Sequence, residues 1–405
     1  MSRVAPDAAS GADGPPKRLC VLGSTGSVGA ATLDVALRHP GRYEIFALTA
    51  HRRLDELLAQ CVQVAPRYAA VATAADADHV AARLRDAGLK TEVLFGPRAL
   101  CDLARHPEVD YVMAAIVGAA GLAPCLAAAE SGKRVLLANK EALVVGGRLF
   151  MSAIERGAAT LLPIDSEHSA IFQCLPEDRT TWKDRVDHIV LTASGGPFRG
   201  RDPATLGSVT PDEACAHPNW VMGRKISVDS ATMMNKALEV IEAHFLFDLA
   251  PEEIEVVIHP QSIVHSMVVC RDNSVMAQLG TPDMRVPIAV GLAWPGRIAS
   301  GADLLDWKSL AALTFEAADH ATYPALALAY EALRARAGTT AVLNAANEEA
   351  VAAFLAGTCP FDRIHTVNRR TLEALVPAID ADASVDSLIA LDDEARRCAR
   401  GFLKG

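Results

Sequence analysis

Short apolar runs alternate with longer segments of helical spacing between residues 17 and 163. The runs read RLCVLG, YEIFALTA, YAAVAT, TEVLFG, YVMAAIVG and RVLLAN. Continuous apolar strands separated by helices are typical of a parallel sheet that helices cover on both faces. The pattern therefore predicts an α/β fold that begins with a Rossmann-like, doubly wound parallel sheet over residues 17–163.

The pattern changes twice in the remainder of the chain. Residues 164–294 mix strand-like runs such as HIVLTA and VHSMVVC with a strong helix that we expect to begin near Ser230, which predicts a central α+β domain. A connection containing proline and glycine follows over residues 295–320. Residues 321–405 are rich in Ala and Leu at helical spacing and predict a small helical domain, with Gly338 and Gly357 as helix stops.

Composition narrows the class of protein. Residues 1–16 lack the apolar segment of a secretory signal and predict a disordered tail, and the Ala- and Gly-rich stretch 111–129 is too interrupted to cross a membrane. The nine cysteines are scattered singly, which argues against a disulfide framework and a thiolate zinc site. The net charge of -10 disfavours a nucleic-acid partner. We therefore expect a cytoplasmic protein without membrane or nucleic-acid partners.

A glycine-rich turn joins the first predicted strand to the first helix. Gly23, Gly26 and Gly29 permit a tight turn, and the amides at the start of the helix attract phosphate. A plain strand-to-helix turn is the alternative. At the end of the second strand, Arg52 and Arg53 replace the acidic residue that would bind the ribose of NAD, which favours NADP; a solvated basic helix start is the alternative. Together these features predict a dinucleotide site with a preference for NADP.

A polar triplet follows another strand, at the edge of the sheet where α/β proteins bind ligands. Asn139, Lys140 and Glu141 come directly after the run RVLLA, a position that predicts contacts with a ligand. The alternative is a helix start, in which Asn139 caps the helix and Glu141 favours its first turn. Spacing leaves both interpretations open.

Acidic residues in two distant segments suggest a metal site. If the backbone is extended, Asp165 and Glu167 face the same side. In the later helix, Asn235 and Glu239 share a face that Lys236 flanks. Carboxylates would suit a hard cation such as Mg²⁺ or Mn²⁺, although each one alone is more often a cap or a surface charge.

A phosphate monoester needs hydroxyl, amide and cationic partners, which several residues between 194 and 236 offer. The stretch 194–223 has glycine and proline near its ends and contains Trp220, which predicts an active-site lid. A lone His or Trp is more often structural. The residues that we expect to bind a phosphate are Ser194, His217, Ser230, Asn235 and Lys236.

Longer motifs resemble one family closely. GSTGSVG, LLANKEALV, DSEHSAIFQ, SGGPF, HPNWVMGRKISVDSATMMNKALEVIE, HPQSIVHSMV and TPDMRVPI are similar to segments of the 1-deoxy-D-xylulose 5-phosphate reductoisomerase family, in the same order. The resemblance covers the chain from about residue 17 onward. It departs from the family at His51, Arg52 and Arg53, where the positive character is kept but the residues differ.

The resemblance implies a full set of site residues and a homodimer. The implied catalytic residues are Lys140, Glu167 and His217, and the implied ligands of Mn²⁺ or Mg²⁺ are Asp165, Glu167 and Glu239. The implied NADPH contacts are Thr25, Gly26, Ser27, Val28, Arg52, Arg53, Asn139, Glu141 and Gly223. The implied contacts to a sugar-phosphate substrate are Lys140, Ser166, Glu167, Ser194, His217, Ser230, Asn235, Lys236 and Glu239.

The resemblance also implies a reaction. 1-Deoxy-D-xylulose 5-phosphate would be rearranged and then reduced with NADPH to 2-C-methyl-D-erythritol 4-phosphate, in the non-mevalonate route to isoprenoid precursors. A metal-independent NADP dehydrogenase would share the first domain but would not need the three acidic residues. An NADP-sensing module would use the middle domain to bind a protein, which the dense polar block 217–239 disfavours.

Overall fold

The computed structural model describes residues 14–220, 222–308, 310, 312–319, 323–375 and 384–404. Residues 1–13 of the predicted disordered tail lie outside the described residues, as do parts of the predicted connection and of the C-terminal region. Residues 14–16 are exposed. The predicted domain limits stay a prediction.

A seven-stranded sheet dominates the first part of the chain. Every pair of neighbouring strands is parallel, in the order β4-β3-β2-β1-β5-β6-β7. The strands are β1 (Lys17–Leu22), β2 (Tyr43–Thr49), β3 (Tyr68–Val71), β4 (Glu92–Phe95), β5 (Tyr111–Ala114), β6 (Arg134–Leu137) and β7 (Thr160–Pro163). The helices between them are α1 (Ser27–Leu37), α2 (Leu54–Val64), α3 (Ala74–Asp86), α4 (Gly96–Ala104), α5 (Leu122–Glu130) and α6 (Lys140–Arg156).

Residues 19–22 of the central strand β1 are all apolar and buried. Cys20 and Leu22 pack into the core on one face of the sheet, whereas Leu19 and Val21 pack into a separate core on the other face. Because successive side chains of a strand point to opposite faces, a strand covered on both sides needs apolar residues at every position. The structure confirms the predicted α/β class.

A mixed five-stranded sheet forms the central region, in the order β11-β10-β8-β9-β12. The pair β8 and β9 is parallel and the other pairs are antiparallel. The elements of this region are α7 (Ser166–Cys174), α8 (Trp182–Arg185), β8 (Val186–Ala193), α9 (Pro211–Cys215), α10 (Arg224–Ala231), α11 (Met234–Phe247), β9 (Ile254–Ile258), β10 (Val264–Cys270), β11 (Val275–Leu279), α12 (Arg285–Ala293) and β12 (Glu316–Ala317).

The helix that was expected to begin near Ser230 is in fact two helices, so that prediction is wrong. Ser230 lies in the last turn of α10, and α11 begins at Met234. Met233 between them has a φ of 62° in the left-handed region, and the Thr232 hydroxyl accepts a hydrogen bond from the Met234 N–H. A threonine side chain that bonds to the backbone competes with the helical ladder, and here it stabilises the break.

The described residues of the C-terminal region form four helices, as the Ala- and Leu-rich pattern predicted. They are α13 (Ala325–Arg334), α14 (Thr339–Leu355), α15 (Arg363–Ala374) and α16 (Val385–Leu403). Gly338 precedes α14 as its N-cap, with a φ of 86°. Among the described residues, no helix combines the length and the apolar character that a membrane crossing requires.

Candidate active site

The loop between β1 and α1 is built for close backbone packing. A Cβ atom on Gly29 would lie 2.4 Å from the carbonyl oxygen of Gly23, so only glycine fits at this crossing of strand and helix. Gly26 is the N-cap of α1 and has no side chain that could occupy the first-turn amides. These N–H groups, which include those of Ser27 and Val28, are therefore free to face a phosphate, as amides at a helix start do.

The two arginines after β2 are exposed and stand beside this loop. The Arg53 guanidinium donates a hydrogen bond of 2.8 Å to the carbonyl oxygen of Thr25. Arg52 is also exposed at the start of the following loop. The structure thus brings a positive charge to the glycine-rich turn, where a nucleotide 2′-phosphate would need it.

Asn139 and Glu141 are engaged by the protein itself. Asn139 is the N-cap of α6, and its side-chain oxygen accepts a hydrogen bond of 3.1 Å from the Ala142 N–H, which is the capping arrangement that the sequence left open. The Glu141 carboxylate lies 2.8 Å from the Lys225 ammonium. Both side chains are buried.

Three acidic side chains converge at one point. One carboxylate oxygen from each of Asp165, Glu167 and Glu239 lies within 4.8 Å of the others. The extended backbone expected at Asp165 and Glu167 is wrong, because Asp165 is the N-cap of α7 and Glu167 lies in its first turn. The two carboxylates nevertheless meet, since the helix starts between them and Glu239 approaches from α11.

Two lysines offset part of the charge of this acidic cluster. The Lys140 ammonium is 2.5 Å from the Asp165 carboxylate and 3.1 Å from that of Glu239. The Lys236 ammonium is 2.8 Å from Glu167 and also contacts Glu239. Both lysines are buried, and a buried charge is stable only when it is paired. The arrangement therefore needs cations to hold three carboxylates together.

The pKa values in the cluster follow from this balance. Burial lowers the pKa of Lys140, but the charges of Asp165 and Glu239 outweigh burial and raise it well above its ordinary value. Burial raises the pKa of Glu167, and the nearby charge of Glu239 raises it further. Lys140 thus stays protonated at neutral pH, whereas Glu167 holds a proton more readily than an ordinary glutamate does.

A hydrogen-bond chain fixes the protonation of His217. Its Nδ1 atom accepts hydrogen bonds from the backbone N–H groups of Asn219 and Trp220, at 3.1 and 3.0 Å. In a neutral ring the proton then sits on Nε2, which lies 2.9 Å from the Ser194 hydroxyl oxygen. Burial lowers the pKa of His217, which keeps the ring neutral. His217 is therefore placed to donate from Nε2.

One pocket of about 470 Å³ collects most of the predicted residues. Trp220 lies on its wall, with its ring centroid 6.5 Å from that of His265. Of the predicted residues, those lining the pocket are Ser27, Val28, Lys140, Asp165, Ser166, Glu167, Ser194, His217, Gly223, Ser230, Asn235, Lys236 and Glu239. Within the described part of the chain, those that do not line it are Thr25, Gly26, Arg52, Arg53, Asn139 and Glu141.

Known proteins share both the sequence and this fold. Family models match residues 19–147 (1-deoxy-D-xylulose 5-phosphate reductoisomerase), 161–247 (its C-terminal domain) and 279–398 (DXP reductoisomerase C-terminal domain). A 1-deoxy-D-xylulose 5-phosphate reductoisomerase of Cupriavidus pinatubonensis is 59% identical over 96% of this chain and 98% of the relative. One of Burkholderia vietnamiensis is 57% identical over 96% of each chain.

The chain belongs to the 1-deoxy-D-xylulose 5-phosphate reductoisomerase family. Two solved structures agree with this assignment. A DOX-P reductoisomerase in complex with NADPH, fosmidomycin and magnesium is 43% identical, with a TM-score of 0.92 over 96% of this chain and 98% of the other. The Zymomonas mobilis reductoisomerase in complex with NADPH is 43% identical, with a TM-score of 0.89 over 97% and 100%.

Family membership confirms several predictions made from the motifs. The chain is an NADPH-dependent enzyme that converts 1-deoxy-D-xylulose 5-phosphate, and its cofactors are NADPH and a divalent metal, as predicted. The roles of individual residues stay predictions.

Some residues of the reductoisomerase pocket were not singled out from the sequence. His265, Ser262 and Met284 line it, and they lie in the motifs HPQSIVHSMV and TPDMRVPI, which gave the resemblance without any individual candidate. Behind the acidic cluster, His168 is 2.9 Å from the Glu239 carbonyl oxygen and 3.4 Å from the Glu242 carboxylate. Burial raises the pKa of Glu242 to about 7. Both His168 and Glu242 lie on the inward faces of their helices. From the sequence alone they therefore look like ordinary core positions.

Proposed function

We propose that the pocket between the nucleotide loop and α11 performs both stages of the reductoisomerase reaction. The single observation that carries this proposal is that three carboxylates and the predicted phosphate donors line one pocket, together with Ser27 and Val28 of the nucleotide loop. A substrate held there would meet a metal, a phosphate anchor and a dinucleotide together. Rearrangement and reduction could then follow without release of the intermediate.

The phosphate end of the substrate is proposed to bind the set Ser194, His217, Ser230, Asn235 and Lys236. His217 donates from Nε2 as a neutral ring, and the Ser194 hydroxyl lies within its reach. The Lys236 ammonium, which also pairs with Glu167 and Glu239, contributes positive charge. Anchoring a phosphate away from the reacting carbons fixes the substrate's orientation and lowers the entropic cost of the reaction.

The acidic cluster fits a hard divalent cation. Its three carboxylate oxygens lie within 4.8 Å of one another. The ammonium groups of Lys140 and Lys236 offset part of their charge, and a bound cation would offset it in the same way. We propose that Asp165, Glu167 and Glu239 hold the metal. When bound, a divalent cation supplies Lewis acidity toward the carbonyl and hydroxyl oxygens of the substrate.

Proton handling is proposed for Lys140 and Glu167 beside these oxygens. Lys140 keeps its proton because the surrounding carboxylates hold its charge, so it acts as a hydrogen-bond donor to a substrate oxygen. Glu167 can accept a proton from a substrate hydroxyl as a carbon–carbon bond breaks and re-forms. NADPH, which the loop between β1 and α1 would hold, would supply the hydride for the reduction of the rearranged carbonyl compound to an alcohol.

The experiment that tests the function is the oxidation of NADPH, followed at 340 nm with purified protein and 1-deoxy-D-xylulose 5-phosphate. We expect oxidation that needs both the substrate and Mn²⁺ or Mg²⁺ and that stops after chelation with EDTA. Oxidation that continues in EDTA would instead favour a metal-independent dehydrogenase. No oxidation under any condition would refute the proposed activity.

A lid over residues 194–223 is part of the proposal. Trp220 would close over the reacting centre and exclude water, which strengthens the electrostatic contacts inside the site. Tryptophan fluorescence during addition of NADPH and substrate analogue tests this in the wild type against Trp220→Phe. An identical fluorescence change in both proteins would contradict the lid.

We also propose that two copies of the chain form a homodimer through β11. This strand is an edge of the five-stranded sheet, and its residues Val275 and Met276 are 53% and 51% exposed. Leu304 and Trp307 are 94% and 69% exposed in a nearby segment. This segment is held next to the end of β11 by a hydrogen bond from the Thr281 hydroxyl to the Asp303 carbonyl oxygen. An apolar sheet edge of this kind pairs readily with a second copy.

Light scattering after size exclusion tests the dimer. Met276→Glu should yield a monomer, because a carboxylate would be buried at the paired edge. Val62→Glu is the matched control, since Val62 is 59% exposed on α2 and far from β11 in the chain. A monomeric wild type, or a Met276→Glu protein that stays dimeric, would refute this surface as the interface.

The cytoplasm is proposed as the location. Each of the nine cysteines is a free thiol, and burial raises the pKa of Cys20 and Cys125 to about 12. Free, inert thiols suit a reducing compartment. Cell fractionation with an antibody against the protein tests the location, and recovery in the membrane fraction would contradict it.

A further inference from the structure

An ion cluster joins α6 to α10 next to residues of the pocket, and no step of the proposed reaction uses its lysine, Lys225. The Lys225 ammonium is 2.8 Å from the Glu141 carboxylate and 2.8 Å from that of Asp229. The Glu141 and Asp229 side chains are 9% and 1% exposed. One lysine thus bridges two carboxylates that belong to different helices, α6 and α10.

The two bridged carboxylates are next to residues at opposite ends of the site. Glu141 follows Lys140, which contacts the metal-binding carboxylates, and Asp229 precedes Ser230 of the phosphate set. A shift of α6 relative to α10 would therefore change the separation of the metal end and the phosphate end. Lys225 restrains that shift because its ammonium holds both helices at hydrogen-bonding distance.

The C-terminal helices hold the same cluster from behind. The Asn347 side chain on α14 donates a hydrogen bond of 2.8 Å to the Asp229 carboxylate, and the Asn368 side chain on α15 donates one of 3.3 Å to Asn347. Both asparagines are fully buried. The Asn347 amide has a partner at its nitrogen and at its oxygen, so a shift of α14 relative to α10 would leave a buried polar group unsatisfied.

The charges in the cluster depend on each other. Burial lowers the pKa of Lys225, but Asp229 and Glu141 outweigh it, so the lysine stays protonated. A buried ion pair adds little to overall stability compared with an apolar replacement, yet it strongly selects the geometry in which both charges are paired. An ion cluster at this place is therefore better explained by positioning than by stability.

We infer that Lys225 is a positioning residue that sets the distance between Lys140 and Ser230, and that Asn347 transmits the support of the C-terminal helices to it. The inference rests on the proposed function, because it assumes that both ends of one substrate bind at these residues. It assigns to the C-terminal helices a direct part in shaping the site.

The test compares Lys225→Met with Arg224→Met in the full-length protein with NADPH and Mn²⁺. Arg224 is the adjacent residue on α10, and its side chain is 57% exposed in an ion pair with Asp212. We expect Lys225→Met to lower kcat/KM for the sugar phosphate by about 10- to 100-fold, since misplacement by about 1 Å costs about 100-fold. The KM for NADPH should rise less than the KM for the sugar phosphate, and Lys225→Arg should recover part of the loss.

Equal kcat/KM in the Lys225→Met and Arg224→Met proteins, with an active wild type, would overturn the inference. A wild type without any turnover would instead refute the proposed function, so the two failures are distinct. If Lys225→Met does not fold, Asn347→Ala replaces it, with Asn344→Ala as control. Asn344 is equally buried on α14 but donates to Glu348 of its own helix. The inference then requires a lower kcat/KM in Asn347→Ala than in Asn344→Ala.

Discussion

Gly196 lies against the phosphate set and offers a test of how tightly that set is packed. Its φ is 68°, and a Cβ atom at this position would lie 2.7 Å from the Ser230 carbonyl oxygen. The Gly196 N–H also donates a hydrogen bond of 3.2 Å to the Ser194 hydroxyl. Gly196→Ala would therefore press on Ser230 directly and would strain the backbone that donates to Ser194.

The size of the effect follows from that contact. An ordinary contact of a Cβ atom begins at 3.4 Å, so the Ser230 backbone would have to move by about 0.7 Å, the difference between 3.4 and 2.7 Å. The left-handed conformation adds about 1 kcal/mol of strain for alanine. Since displacement by about 1 Å costs about 100-fold in rate, we expect kcat/KM to fall by about 10- to 50-fold.

Gly200→Ala is the matched control for this prediction. Gly200 has a φ of 74°, but nothing lies within 4 Å of a Cβ atom placed there, so it shares the backbone strain without the contact. Both variants are assayed by NADPH oxidation, and thermal unfolding compares their stability. Equal kcat/KM in the two proteins would refute the reasoning, because the strain alone would then explain any loss.

Three further predictions concern the metal, the nucleotide and pH. Asp165→Asn and Glu239→Gln should each lose turnover while NADPH still binds, and turnover near that of the wild type with Mg²⁺ or Mn²⁺ would contradict the proposed ligands. Replacement of both Arg52 and Arg53 by Ala should raise the KM for NADPH by about 10-fold without an equal change in the KM for NADH. The reason is that a lost charge-assisted hydrogen bond costs about 1.5 kcal/mol or more. Equal changes in the two KM values would exclude contact with the 2′-phosphate. The neutral His217 ring contributes stability that is present at neutral pH and is lost as the pH falls through its lowered pKa. The free energy of unfolding in urea should therefore fall more steeply with acid in the wild type than in His217→Asn, but only below about pH 6.5, the ordinary pKa of histidine. Extra sensitivity above that value would contradict the assigned protonation.

The sheet of the first part could be predicted because its signal is local. Residues 19–22 are apolar without interruption, and their side chains enter two cores on opposite faces of the sheet. The break between α10 and α11 at Met233 could not be predicted. Neither Met233 nor Met234 is a residue that usually ends a helix, and the residue in the left-handed conformation is not a glycine. The pairing of β12 with β9 was also missed, because a strand of two residues has no period to detect.

The site could be predicted only in part, for a related reason. Asp165 and Glu239 are far apart in the chain, and no spacing rule says that they meet; the long motifs supplied that expectation by resemblance. The bridge from Lys225 to Glu141 joins residues 84 positions apart and had no signal beyond a lysine on a polar helix face. Contacts of this kind arise from the packing of α6, α10 and α14, which local patterns do not encode.

The local charge of the pocket explains how an acidic protein can attract an anionic substrate. The chain carries a net charge of -10, and the acidic cluster places three carboxylates against the ammonium groups of Lys140 and Lys236, which leaves one negative charge in excess. A divalent cation would reverse that sign. The pocket without the cation repels a phosphate monoester, and the pocket with the cation attracts it. The metal should therefore lower the KM for the sugar phosphate much more than the KM for NADPH. The proposed phosphate contacts of NADPH lie elsewhere, at the loop of Thr25 and Gly26.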